Sequence, residues 1–230
     1  MEDNKQYQHR KIRSFVKRIG RRTAGQDRAL TDLLPIFGID HIKGVFDFNE
    51  IFARQSDTIL EIGFGMGQSL LEHAKVHPQN NYLGIEVHNP GVGSLLNGVD
   101  EMGLTNIRVC ISDAVEVLES KIAEQSLSGV QLFFPDPWHK TKHHKRRIVK
   151  AEFVEIVLSR LKPGGFFHLA TDWEDYAKHM LRVLTEAPGF ENISTSGDYI
   201  PRPESRSLTK FEKRGHRLGH GVWDLMFTRS

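Results

Sequence analysis

Ile59-Leu60-Glu61-Ile62-Gly63-Phe64-Gly65-Met66-Gly67 decides the fold: a short apolar run opens directly into three glycines at alternate positions. The run reads as a buried strand, and glycines placed just after it let the backbone turn tightly and lie close to a ligand before a helix begins. The chain downstream keeps alternating. Strands are expected at Thr58–Ile62, Tyr82–Val87, Ile107–Ile111, Gln131–Phe134 and Phe166–Ala170, with helices at Ser69–Val76, Gly91–Met102, Ala114–Ile122 and Ala151–Leu161. That spacing predicts a parallel sheet with helices on both faces. A further helix at Trp173–Leu184 leads to extended segments at Phe190–Tyr199 and Val222–Thr228, separated by a polar, basic connection. They predict an α/β fold with a seven-stranded, mostly parallel sheet and an antiparallel C-terminal edge strand. Residues 1–45 read as a basic N-terminal arm, and 46–230 as one domain with a substrate loop near 200–220.

Composition narrows the class. With 230 residues, 39% hydrophobic and 26% charged, the chain suits one globular α/β domain and not a disordered protein. A single cysteine, Cys110, allows no internal disulfide and fits a reducing compartment. No apolar run reaches the ~20 residues of a membrane helix, and no signal-peptide core opens the chain, so a cytoplasmic address is expected. The net charge of +2 hides strong segregation. Residues 1–30 carry nine Lys/Arg against three Asp/Glu, residues 134–150 six against one, and residues 202–217 six against two. Three basic blocks on an otherwise acidic body suit a surface that binds a polyanion.

Carboxylates sharpen the reading of the glycine turn. Gly63, Gly65 and Gly67 follow G-x-G-x-G spacing, and Gln68 stands where a dinucleotide fingerprint has its third glycine, so a pyrophosphate is not indicated. Glu61 and Glu86 close the first two strands and Asp113 follows the third. Ligands of open α/β sheets sit beyond the carboxyl ends of the strands, where these acids converge. Glu86 is placed to accept from ribose hydroxyls and Asp113 from an adenine amino group. Acceptor-only groups suit hydroxyls, an ammonium or a sulfonium better than phosphate, which favours S-adenosylmethionine over NAD.

About 70 residues beyond the turn comes Phe133-Phe134-Pro135-Asp136-Pro137-Trp138-His139-Lys140. Two prolines stiffen the backbone around Asp136, and Trp138 offers a face for a base. A carboxylate there can accept from a guanine N1–H and amino group, and can oppose positive charge developing on the ring. If guanine is the target, its N7 already exposes a lone pair, so methylation there would remove no proton and need no strong base. Lys142, His143, His144, Lys145, Arg146 and Arg147 suit phosphates; their spacing matches no metal motif, and no metal is expected. Asp172, after the fifth strand, and Thr209-Lys210-Phe211-Glu212, in the late connection, are candidate substrate contacts.

Together, Leu60–Gly67, Gly84-Ile85-Glu86-Val87-His88, Phe134–Trp138, Ala170-Thr171-Asp172-Trp173 and Thr209–Glu212 resemble the bacterial tRNA (guanine-N7)-methyltransferases from about residue 45 onward, and Arg13-Ser14-Phe15-Val16 also fits. The resemblance implies a Rossmann-like class I methyltransferase fold and transfer from S-adenosylmethionine to N7 of the variable-loop guanine of tRNA. It implies Glu61, Glu86, Asp113 and Asp136 as cofactor contacts, Asp136 also as the catalytic residue, and Lys140, Asp172 and Thr209–Glu212 as substrate contacts. Lys142–Arg147 would be an RNA-contacting stretch. The partner implied is tRNA, with no membrane, no obligatory protein partner, and a monomer or homodimer. A nicotinamide-dependent oxidoreductase and a non-catalytic RNA-binding protein on the same fold are the competing readings.

Overall fold

A computed structural model describes residues 14–15, 20–40, 44–204, 206, 212 and 221–230. The sheet is built on β1 (Thr58–Ile62), which pairs in parallel with β2 (Asn81–Glu86) on one side and β4 (Leu127–Phe133) on the other. β3 (Ile107–Ile111) pairs with β2, and β5 (Leu161–Thr171) with β4, both in parallel. β7 (Trp223–Arg229) then runs antiparallel between β5 and the short β6 (Phe190–Asn192), giving the order β3-β2-β1-β4-β5-β7-β6. The sheet is thus seven-stranded and mostly parallel, as expected. The reversed strand lies one place in from the edge, because the chain returns after β6 and wedges beside β5.

Alternation along the strands divides the core. Leu60, Ile62, Val130, Leu132, Phe167, Leu169, Leu225 and Phe227 face one side. There they pack on α3 (Phe48–Phe52), α6 (Ala114–Ser120), α7 (Ala151–Arg160) and α8 (Glu174–Thr185). The opposite face meets α4 (Gln68–Val76) and α5 (Asn89–Met102) through Leu70, Leu71, Ala74, Leu95, Leu96 and Val99, which pack on Ile59, Tyr82, Ile107 and Val109. Burying a side chain of this size contributes roughly 1.5–3 kcal/mol.

Residues 20–40, read from the sequence as part of an arm, are folded. α1 (Ala24–Asp32) begins with a capping box, in which Thr23 accepts from the Gln26 N–H at 3.2 Å and Gln26 Oε1 accepts from the Thr23 N–H at 2.9 Å. Gly93 of α5 leaves room for it, since a Cβ there would stand 2.8 Å from the Gln26 carbonyl oxygen. A short α2 (Leu34–Phe37) follows, and Gly38 bridges to Val109 of β3. Among the described residues, no helix is long and apolar enough to cross a membrane.

Candidate active site

A pocket of about 290 Å³ opens beyond the carboxyl ends of β1–β4, lined by Ile62, Gly63, Glu86, Val87, Asp113, Phe133 and Asp136 among others. Gly63, the first glycine of the turn, lines it. Gly63, Gly65 and Gly67 all have positive φ (69°, 58° and 84°), a region where a Cβ is strained. Space above Gly63 and Gly65 is open, whereas a Cβ on Gly67 would come within 2.7 Å of Leu95. The first two glycines leave room for a ligand and the third leaves room for α5.

Glu86 organises this turn. Its Oε2 accepts from the Gly65 N–H at 3.0 Å, and its Oε1 accepts from the Val87 and His88 N–H groups at 2.7 and 3.0 Å. Asp113 caps α6, accepting from the Val115 N–H at 3.0 Å, and also faces the pocket. Asp136 lines the same pocket and is exposed to solvent. Glu86, Asp113 and Asp136 therefore meet around one cavity.

Glu61 is placed differently. It is 3% exposed, does not line the pocket, and its Oε2 has no hydrogen-bond partner among the described residues. Burial, followed by the nearby negative charge of Glu86, pushes its carboxyl up to about 8, so it is mainly protonated at neutral pH. Cys110 is fully buried in β3, and its thiol is pushed up to about 11, which makes it unreactive.

The Pro-Asp-Pro-Trp segment leaves β4 as a strained loop. Phe134 and Trp138, at its two ends, have φ of 52° and 50° without being glycine. Trp138 donates from its indole N–H to the Ser14 carbonyl at 3.2 Å, and the Arg146 guanidinium lies 4.6 Å from its ring centre. Ser14 and Phe15 themselves line the pocket. Part of the Trp138 surface, read as a platform for a base, is thus already in use. Lys140 is exposed, and a 3₁₀ turn over Thr141–Arg146 displays Lys142 and Lys145, with His143, His144 and Arg146 half-buried. Arg147, the last of the run, is buried.

Asp172 stands exposed after β5, beside Trp173, whose ring meets His139 edge-on at 4.2 Å. Thr209, Lys210 and Phe211 lie outside the described residues. Glu212 is described and is 2% exposed, paired with Arg206 at 2.7 Å. Arg206 also grips Asp224 of β7 at 2.6 and 2.8 Å, and Asp224 pairs with His168 of β5 at 2.9 Å. Burial works to raise the Asp224 carboxyl, but hydrogen bonds from His168 and Arg206 outweigh it and hold it below the usual range. Sequence reading missed this cluster. Its members are far apart in the chain, and nothing in their spacing links them. Among the described residues no group of His, Cys, Asp or Glu is placed to hold a metal ion.

Sheet order, glycine turn and acid-lined cavity together describe an open α/β fold with a ligand site at the carboxyl rim of its parallel strands. The fold is shared with solved structures of remote sequence. The 16S rRNA methyltransferase KamB matches with a TM-score of 0.60 at 16% identity, over 82% of this chain and 95% of that one. TrmN from Thermus thermophilus matches at 0.54 and 18% identity, over 77% of this chain and 45% of that one. Residues 55–225 match the family described as "Putative methyltransferase". Sequence likeness goes further. The tRNA (guanine-N(7)-)-methyltransferase of Pseudoalteromonas translucida is 62% identical over 221 residues, covering 96% of this chain and 92% of the relative. That of Salmonella typhimurium is 59% identical over 220 residues, covering 96% and 92%. The chain belongs to this tRNA (guanine-N(7)-)-methyltransferase family.

Proposed function

We propose that the protein methylates N7 of the variable-loop guanine in tRNA, using S-adenosylmethionine. The observation that carries this reading is Asp136, exposed at an acid-lined cavity and flanked by a cationic turn, in a chain about 60% identical to tRNA (guanine-N(7)-)-methyltransferases along nearly its whole length. The cavity fits such a cofactor. Open space over Gly63 and Gly65 admits it, and Glu86 and Asp113 offer acceptors to its ribose hydroxyls and adenine amino group. When bound, S-adenosylmethionine would supply an electrophilic methyl group for the N7 lone pair, its S–CH3 bond breaking to leave the neutral thioether, with no proton lost from the base.

The remaining work falls to the chain. Asp136 accepts from the guanine N1–H and amino group, which orients the base, and its negative charge opposes the positive charge growing on the ring. Lys140 and Asp172 hold the substrate nucleotide, with the Thr209–Phe211 segment assigned the same role. Lys142, His143, His144, Lys145 and Arg146 meet tRNA phosphates, a contribution that weakens with salt. Glu61 and Glu212 are both buried, so they support the cofactor and substrate regions from beneath. The enzyme is expected to act in the cytoplasm without an obligatory protein partner, as a monomer or homodimer.

The test is methyl transfer from labelled S-adenosylmethionine to unmodified tRNA transcripts, with the variable-loop guanine present or replaced by adenine, followed by chemical cleavage at N7-methylguanine. Cleavage at that guanine alone is expected. Transfer to other sites would discard the target. No transfer despite cofactor binding would favour a non-catalytic RNA-binding protein.

A further inference from the structure

Arg147 closes a run of cations and reads from the sequence like the others, yet it points inward. It is 3% exposed, while Lys142 and Lys145 are exposed. Its Nε–H donates to the Pro137 carbonyl at 2.9 Å, and its Nη2 donates to Asp175 Oδ2 at 2.5 Å and lies 3.1 Å from His144 Nε2. The flat guanidinium rests 4.8 Å from the ring centre of Tyr176, which is fully buried. Its charge is already answered: the Arg147 hydrogen bond holds the Asp175 carboxyl below the usual range. A guanidinium with its face on an aromatic ring and its edge so engaged has little left to offer a phosphate.

What Arg147 holds is the reacting loop. Phe134 and Trp138 adopt left-handed backbone, and such strain persists only where the surroundings enforce it. Pro135 and Pro137 have no N–H, so this stretch can be tied down through few backbone donors, and its carbonyls become the available handles. At the start, the Phe134 N–H donates to the Ala170 carbonyl at 2.8 Å. At the end, Arg147 takes the carbonyl of Pro137, the residue next to Asp136. Asp175 and Tyr176 lie in the first turn of α8, which begins two residues after Asp172. One side chain therefore ties the Asp136 loop to the element that follows Asp172.

We propose that Arg147 is a positioning residue for methyl transfer, fixing the Asp136 loop against α8, and not an RNA contact. This rests on the methyltransferase reading above. A displacement of about 1 Å at a reacting group can cost on the order of 100-fold in rate. Loss of the brace therefore lowers turnover and leaves binding largely alone.

The test uses the full chain with Arg147→Lys, which keeps the charge and loses the fork, and Asp175→Asn, which alters the partner that is 63% exposed. Turnover, the KM values for S-adenosylmethionine and tRNA, and the salt dependence of tRNA affinity are measured beside wild type and Arg146→Ala. The expected result for Arg147→Lys is a kcat lowered about 10- to 100-fold, both KM values within about twofold, and a wild-type salt slope. Arg146→Ala reduces that slope by about one. A reduced salt slope with raised tRNA KM in Arg147→Lys would make it a phosphate contact and overturn the proposal, as would an unchanged kcat. If Arg147→Lys fails to fold, Asp175→Asn decides: a severalfold lower kcat at an unaltered melting temperature supports the brace, and normal turnover refutes it. A 5-fluorotryptophan label adds a readout independent of activity. The Trp138 resonance must move in Arg147→Lys while that of Trp223 stays, even if the wild-type enzyme proves to methylate another RNA.

Discussion

Glu61→Gln tests the electrostatics beneath the glycine turn. In the folded protein the Glu61 carboxyl releases its proton only near pH 8, against an ordinary value of 4.5. Between those two values the unfolded chain has released a proton that the folded chain still holds. The unfolded state thus binds fewer protons, and wild-type stability must fall as pH rises through this window. At ~1.4 kcal/mol per pH unit, the gap sets a ceiling of ~5 kcal/mol, reached above pH 8. Below pH 4.5 both states carry the proton and the penalty vanishes. Glutamine has nearly the same shape and no proton to lose. Urea unfolding of wild type and variant at intervals from pH 5 to 8.5 should show the variant gaining on wild type by up to ~1.4 kcal/mol per pH unit, with unchanged m-values. Other titrating groups contribute to both proteins and cancel in the difference. A difference that stays flat across this range would mean that Glu61 ionises at an ordinary pH, and the argument from burial would fail.

Three further outcomes are expected. Asp136→Asn should lower methyl transfer at least 100-fold while leaving the melting temperature within a few degrees, because the side chain is exposed; near-normal turnover would remove Asp136 from the chemistry. Glu86→Ala removes the acceptor for three backbone N–H groups around the glycine turn, and should weaken S-adenosylmethionine binding by 10-fold or more with a smaller effect on tRNA affinity, both measured by titration. Arg206→Met leaves Asp224 and Glu212 buried without their cation and should cost about 3–5 kcal/mol in urea unfolding; a loss below 1 kcal/mol would mean that the cluster is wet or unformed in solution.

How much of this was legible depended on whether the signal was local. β1 and β3 run as the sequence indicates, because each is a short apolar stretch bounded by turn residues. Glu86 and Asp113 were readable as strand-end acids, since a parallel sheet brings such ends to one rim. The position of β7 between β5 and β6 was not readable, because pairing between distant segments leaves no periodicity in either one. α1 was hidden by its basic surroundings and nearby glycines, although Thr23-x-x-Gln26 carried a capping signal that could have revealed it. Arg147 shows the limit most clearly. In sequence it is indistinguishable from Arg146, and only the nearness of Asp175 and Tyr176 turns it inward.

The buried ionic cluster follows from an asymmetry of the sheet. On the face that carries Glu61, α4 and α5 cover the strands from β1 to β3, while Gln131 and His168 continue a polar row across β4 and β5, and Asp224 of β7, two residues from the position opposite His168, meets it diagonally. An unpaired carboxylate there would be costly, and Arg206 answers it from the late connection with a two-pronged grip on Asp224. The same guanidinium lies 5.9 and 5.5 Å from the ring centres of Phe133 and Phe134, so it covers apolar surface as well. Stability alone does not account for the choice, since apolar side chains of similar volume commonly serve a buried site at least as well. A fork paired to one carboxylate is directional in a way that an apolar plug is not. Arg206 is thereby held at one point on β7. Its guanidinium lies against Phe134, one residue before the Pro135-Asp136 pair on which the proposed chemistry depends.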